Sequence, residues 1–233
     1  MCGRFAMDSE TNDLIEEFVA AGNDYRDWRI SYSIAPTDPV PIVRERDGER
    51  RIVAAVWDFR PPFIAPAGRP NFNARIETVN TLGLWKGAFQ KARCIVPMRG
   101  YYEWTSAIEN GEEVKQPHFI HGDGLLAAAG LATARKSEDG AWIVSTSIIT
   151  REARDASGEV HERMPAFLTE DVWDEWLRGT LETEAEQENM LSLLRDVSGG
   201  VVSTITTYPV SRRVNSTRAV DPSDATLIEP IEA

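Results

Sequence analysis

The chain has few cysteines, few histidines and too few cations for its acids. Its two cysteines, Cys2 and Cys94, stand far apart and form no CxxC pair, which argues against a disulfide-stapled scaffold or a zinc finger. Of its three histidines, His118 and His121 lie three apart in a segment that reads as a strand. There they point to opposite faces, which argues against a shared metal. Zinc, calcium and P-loop patterns are missing, as is a GxSxG elbow, so neither metal nor cofactor is expected. Long apolar runs are missing too. The stretch from Leu125 to Leu131 falls far short of the ~20 residues of a membrane span, and no basic stretch followed by an apolar one opens the chain. A soluble, cytosolic protein without membrane contact is therefore expected. With 25 Lys+Arg against 37 Asp+Glu the net charge is −12, so any affinity for nucleic acid needs a local basic patch that overcomes the average.

What is present suits a globular fold. In 233 residues, 42% hydrophobic with 7 Trp, there is enough apolar surface for one sizeable core and a single domain over residues 1–233, with a flexible tail from about 216. Asp8 or Ser9 is placed to cap a helix carrying Leu14, Ile15, Phe18 and Val19 that stops near Gly22. Residues 29–43 read as extended edge segments with three prolines, and Arg51–Asp58 as a strand. Residues 60–75, rich in proline, read as a loop of functional length. A helix is expected over Thr78–Ala92, with Leu82, Trp85 and Phe89 on one side. Two strands broken at Pro97 and Gly100 are expected over Cys94–Trp104. Three more strands, Gln116–Ile120, Leu125–Ala134 and Ala141–Thr150, read as a meander with turns at Gly122–Gly124 and Glu138–Gly140. Helices follow at Thr169–Leu177 and Glu182–Leu194, then a strand near Val201–Tyr208. No repeat or low-complexity tract occurs. The pattern predicts an α+β domain with a curved, mainly antiparallel, barrel-like sheet and peripheral helices.

Cys2 is the most informative residue. If Met1 is removed, the freed α-amine and the thiol form a 1,2-aminothiol, with reference pKa values of ~7.7–8.0 and ~8.5, both nucleophilic near neutrality. Such a group condenses with an aldehyde to an imine and closes a thiazolidine ring, so its natural target is a carbonyl. In MCGRF, Gly3 permits close backbone approach and Arg4 offers a cation. In NARIET, Asn73, Arg75 and Glu77 alternate and share one side if extended, an arrangement suited to phosphate or carboxylate. Glu103, between Tyr102 and Trp104, occupies an apolar strand where burial raises a carboxyl pKa. His161, in VHERMP, is fixed beside Pro165 and titrates near neutrality. Each admits a plainer reading alone: a frayed terminus, a solvated strand face, a buried structural glutamate.

Taken together and in order, MCGRF, the APT of Ala35–Thr37, NARIET, RCIVPMRGYYEW, VHERMP and PVSRRVN resemble the SOS response-associated peptidase (SRAP) family, from Met1 to about Asn215. The resemblance implies the SRAP fold and a sensor of abasic sites in single-stranded DNA that attaches covalently to the ring-opened sugar through Cys2, after self-catalysed or aminopeptidase removal of Met1. It implies Cys2 as nucleophile, Glu103 for imine formation and Met1 release, and His161 for ring opening and slow reversal. Asn73 and Arg75 would hold the nucleotide and its phosphate, with Arg4 and Arg163 as further phosphate contacts. Pro36 and Trp104 would line the pocket or stack on bases. Implied too are action as a monomer without cofactor, at damaged DNA of the nucleoid, and a peptidase- and lyase-like enzyme of DNA repair. The cations Arg4, Arg75, Lys86, Lys91, Arg93, Arg99, Arg163, Arg212 and Arg213 lie in or beside these motifs, while acids concentrate in Glu10–Glu17 and Asp171–Glu188. A basic groove on an acidic body is thus expected. The chain departs from the family pattern at Asp58-Phe59-Arg60, after Trp57, and at Ser216. Two other readings remain open: a cysteine hydrolase of external peptides using Cys2, His161 and Glu103, and a non-covalent reader of single strands or modified bases.

Overall fold

Two long strands organise the computed structural model, which describes residues 2–18, 28–65 and 68–231. Strand β6 (Arg93–Glu109) pairs antiparallel with β7 (Glu112–Lys136) from Arg93 opposite Leu131 to Glu109 opposite Glu112. The turn between them is Asn110-Gly111, with φ of 52° and 85°. Two left-handed residues in a two-residue connection match the twist of the flanking strands, which is why Asn-Gly is favoured there. The sequence-based expectation ended this strand at Trp104 and broke it at Pro97. Pro97 is tolerated because β6 leaves one neighbour at Ile95, opposite Val43, and meets the next only at Gly100 and Tyr101. On that side nothing needs the missing N–H.

The turn expected at Gly122–Gly124 is a bulge inside one continuous strand. Pairing jumps from Met98 opposite Leu126 to Gly100 opposite His121, and the Arg99 guanidinium donates to the carbonyls of Gly122 and Gly124 at 3.2 and 3.1 Å. A side chain thus satisfies the backbone the ladder abandons. Opposite it, Gly100 has no room for a Cβ, which would stand 2.6 Å from the Ile120 carbonyl.

From β7 the sheet continues to β8 (Trp142–Glu152), antiparallel, and then to β4 (Glu49–Val56), parallel at Val56 opposite Ser145. Strand β4 forms a hairpin with β3 (Pro39–Arg46), which touches β6 and closes a ring. The curved, mostly antiparallel sheet anticipated from the sequence is therefore present, and large aromatic side chains such as Trp57, Trp176, Tyr101 and Phe89 are fully buried in the core. Short elements complete it. Strand β1 (Phe5–Met7) pairs with β6 and with β2 (Ser31–Ile34). Strand β5 (Asn73–Arg75) runs parallel to β8, and β9 (Arg163–Pro165) antiparallel to it. Strands β10 (Phe167–Leu168) and β11 (Thr206–Pro209) both join β7.

Helices lie outside the ring. Helix α1 (Thr11–Glu17) starts after Glu10 rather than at Asp8 or Ser9, with the Asp13 carboxylate accepting the Glu10 N–H at 3.1 Å. Its continuation through Val19 falls outside the described residues. Helix α2 is confined to Lys86–Lys91. Gly83 and the Thr81 hydroxyl, bonded to the Thr78 carbonyl at 3.2 Å, keep the preceding residues in turns, and Leu82 is exposed rather than packed with Phe89. A short α3 (Asp155–Gly158) precedes β9, and α4 (Trp173–Leu177) buries Trp173 and Trp176. Helix α5 (Glu184–Val202) is opened by a reciprocal Thr183–Glu186 cap. It runs past the expected end at Leu194 and takes Val201 and Val202 from the predicted last strand. The tail is held: Tyr32 N–H donates to the Pro222 carbonyl at 2.6 Å, Val210 bridges Pro230, and Leu227 is buried. Among the described residues no helix is long and apolar enough to cross a membrane.

Candidate active site

Strand pairing brings residue 2 to the middle of the chain. Phe5 lies opposite Tyr101, and the Tyr102 N–H donates to the Arg4 carbonyl at 2.9 Å. Extending this pairing carries Cys2 towards Glu103. The Cys2 thiol is fully buried, donates weakly to the Arg4 carbonyl at 3.9 Å and is pushed well up by burial and by the negative charge of Glu103. Parallel pairing of β5 with β8, Asn73 opposite Ile148, places the Asn73 amide so that its Nδ2 donates to the Cys2 carbonyl at 2.7 Å. Its Oδ1 is buried with no partner among the described residues, an acceptor the described fold leaves without a donor.

Glu103 is 3% exposed, and burial lifts its carboxyl from 4.5 to about 7. His161 Nε2 lies 4.0 Å from Glu103 Oε2. The other ring nitrogen, Nδ1, accepts the Arg163 N–H at 2.9 Å, which places the proton of the neutral ring on Nε2, towards the carboxyl. Burial also holds His161 below its ordinary value. A carboxyl poised near neutrality beside a neutral imidazole can both give and take protons. Cys2, Asn73, Glu103 and His161, drawn from four separate stretches of sequence, thus meet in one site.

The cations behave differently from expectation. Arg75 is exposed and its side chain makes no hydrogen bond or ion pair among the described residues, so the guanidinium is available. Arg163 instead forks onto Glu77 at 2.7 and 3.1 Å and reaches the Thr150 carbonyl at 2.7 Å. Arg4 is buried, donating to Ser33 Oγ at 3.0 Å and the Val214 carbonyl at 2.8 Å. Buried Arg93 donates to backbone carbonyls from Phe89 to Gly179. Arg212 and Arg213 pair with Glu109 and Asp224. Of the nine expected groove cations, Arg75, Lys86 and Lys91 remain exposed and unpaired among the described residues. The guanidinium fork is well matched to carbonyls and carboxylates, and here the fold uses most of it.

Pro36 is half-exposed in a tight turn, where the Asp38 N–H donates to the Ala35 carbonyl at 3.0 Å and Thr37 has φ of 81°. A left-handed threonine at the third position of such a turn is uncommon. The turn is docked on Trp57, whose carbonyl accepts the Thr37 N–H at 3.0 Å. Trp104 is half-buried, its Nε1 donating to Asn215 Oδ1 at 2.7 Å, and Asn215 in turn donates to the Lys115 carbonyl at 3.0 Å. The PVSRRVN motif therefore holds Trp104 and Arg4 from behind.

Sequence reasoning missed two arrangements. The Tyr101 hydroxyl is buried against Ser157 Oγ at 2.7 Å. Tyr101 lies two residues from Glu103 on one strand face, a signal that alternation alone supplies; Ser157 carries no such signal. After Trp57, the departing residues form a buried ion pair, Arg60 Nε to Asp58 Oδ2 at 2.6 Å. Arg60 also donates to the carbonyls of Ala65, Gly68 and Arg69, so one side chain orders the proline-rich loop.

A closed, mostly antiparallel sheet carrying a buried cysteine, an amide and a glutamate–histidine pair defines an α+β protein with a thiol-centred polar site. Residues 1–217 match the model of the SOS response associated peptidase (SRAP) family, and the chain belongs to that family. It is 29% identical over 240 residues to the abasic site processing protein YedK of Escherichia coli, covering 99% of this chain and 100% of the relative. To YoqW of Bacillus subtilis it is 27% identical over 225 residues, 95% and 97% of the two chains. To HMCES of Xenopus tropicalis it is 26% identical, covering 94% of this chain and 76% of the relative. Both carry the same description, abasic site processing protein. Among solved structures, a Bacteroides thetaiotaomicron protein superposes with a TM-score of 0.77 at 21% identity, over 99% of this chain and 100% of the other, which shows the same fold.

Proposed function

We propose that this protein captures abasic sites in single-stranded DNA by forming a thiazolidine with Cys2 once Met1 has been removed. The observation that carries the reading is the meeting of Glu103, with its carboxyl poised at about 7, and His161 beside the second residue of the chain. The shared description of the relatives supplies the substrate. In the ring-opened abasic sugar the C1′ aldehyde accepts the Cys2 amine, giving a carbinolamine. Protonated Glu103 donates to the leaving hydroxyl, and water departs as the imine forms. The thiol then adds to the carbon of this protonated imine, whose nitrogen keeps the N–H of the amine, and the thiol proton returns to the Glu103 carboxylate, so that the acid is regenerated and aminothiol plus aldehyde gives thiazolidine plus water. His161, neutral and with a proton on Nε2, serves ring opening and slow reversal. Asn73 pins the Cys2 carbonyl and offers its unpaired Oδ1 to the ligand. Arg75 is the phosphate contact this site has free, and Pro36 and Trp104 are assigned to the neighbouring bases. Release of Met1 uses the same Glu103 carboxyl, which makes the activity peptidase-like as well as lyase-like.

Action as a peptidase on external substrates is less well supported. The Cys2 thiol is buried, held up towards the neutral form, and its hydrogen bond goes to a backbone carbonyl rather than to His161, whereas a cysteine hydrolase needs a thiolate paired with its base. The deciding experiment incubates protein of confirmed N-terminal mass with labelled single-stranded DNA carrying one abasic site, followed by a denaturing gel beside Cys2→Ala. A shifted band that survives denaturation and is absent from Cys2→Ala is expected. No band from protein that begins at Cys2 would falsify the proposal.

A further inference from the structure

His161 reaches the site from an excursion, residues 153–162, that leaves the sheet after β8 and returns at β9. Its two ends are joined, the Ala153 N–H donating to the Glu162 carbonyl at 2.9 Å. Its middle is anchored through Ser157. The Ser157 carbonyl accepts the N–H groups of Val160 and His161 at 3.2 and 3.0 Å, and its hydroxyl meets the Tyr101 hydroxyl at 2.7 Å. Tyr101 and Ser157 are 0% and 1% exposed, so each hydroxyl satisfies the other inside the core. Tyr101 also shares a face of β6 with Glu103. One rigid strand therefore carries the carboxyl and, two residues earlier, the hydroxyl that fixes the segment bearing the imidazole.

We propose that Tyr101 and Ser157 are positioning residues for His161, their hydroxyl pair tying the excursion to β6 and so setting the separation of His161 Nε2 from Glu103. Neither touches the reacting atoms in this scheme; both act through His161. The proposal rests on the reading above for its consequence in catalysis, but its geometry can be tested without DNA.

With three histidines in the chain, long-range proton–nitrogen spectra of the labelled protein resolve His161 from His118 and His121. The charged groups around His161 are Glu103 from β6, Glu162 and Arg163 from its own segment, and the amino terminus. None is altered by Tyr101→Phe, so a change in the His161 titration reports position. Burial now holds His161 down, and a loosened excursion admits water, so its midpoint is expected to rise by about half a pH unit or more in Tyr101→Phe and in Ser157→Ala. Ser157→Thr keeps a hydroxyl and is expected to keep the parent midpoint, and His118 and His121 are expected to stay where they are. An unchanged His161 midpoint in Tyr101→Phe with an intact far-ultraviolet spectrum overturns the proposal, and if that variant does not fold, Ser157→Ala decides in the same way. In the gel assay the crosslinking rate of Tyr101→Phe is expected to fall about tenfold with a displaced pH profile. A parent protein that forms no crosslink removes the abasic-site reading, while the spectra still judge the positioning pair.

Discussion

Replacing Glu103 by glutamine should make the protein more stable and inactive at once, and the size of the gain follows from the burial of its carboxyl. The group moves from 4.5 to about 7 on folding. Between those values the folded protein binds more protons than the unfolded chain, so stability falls as pH rises through the interval. Below it the penalty is absent; above it the penalty is complete. At 1.36 kcal/mol per pH unit, keeping Glu103 ionised in the fold costs about 3 kcal/mol. Glutamine fills the same volume without the charge. At roughly 2–4 °C per kcal/mol for a chain of this size, Glu103→Gln is expected to melt about 6–12 °C above the parent at about pH 8.5 and level with it at about pH 4. Scanning calorimetry at the two pH values reads this directly. An equal difference at both, or a less stable glutamine variant in alkali, would refute the assignment of a raised carboxyl. The same substitution removes the proton donor and should slow crosslinking by about 10²–10⁴, the opposition between stability and activity expected of a strained site.

Two further outcomes test other parts of the molecule. Arg60→Ala leaves the Asp58 carboxylate buried without its counter-ion, which should cost about 3–5 kcal/mol in thermal or denaturant unfolding, and Asp58→Asn/Arg60→Met should recover part of it; a loss below about 1 kcal/mol would mean that the pair does not order the loop. Arg75→Ala should lower the slope of log affinity against log salt for intact single-stranded DNA by about 0.7, and an unchanged slope would remove Arg75 from the phosphate contacts.

The site was more legible than the sheet. Cys2, Asn73, Glu103 and His161 each admit a plainer reading alone and were singled out together through the ordered family motifs, and the fold brings them to one place. Strand ends are set by tertiary context instead. Pro97 reads as a break, yet it falls where β6 changes neighbours. Gly122 and Gly124 read as a turn, yet Arg99 from the facing strand satisfies their carbonyls and lets β7 continue. Asn110-Gly111 did carry a local signal, and the hairpin follows it. The cations were the hardest to read, since a guanidinium looks the same in sequence whether it faces a phosphate or, as in Arg4 and Arg93, a backbone carbonyl 2.6–2.8 Å away inside the protein.

The bond from Arg4 to the Val214 carbonyl, across 210 positions, has a consequence in time. Synthesis runs from the amino terminus, so Arg4 is made long before the Val214 carbonyl that accepts its hydrogen bond. Until Ser211–Asn215 emerge, Arg4 lacks the Val214 carbonyl and Trp104 the Asn215 side chain. The last support of the segment that carries Cys2 is thus added only when residues 211–215 have been made, well after the strands that pair with β1.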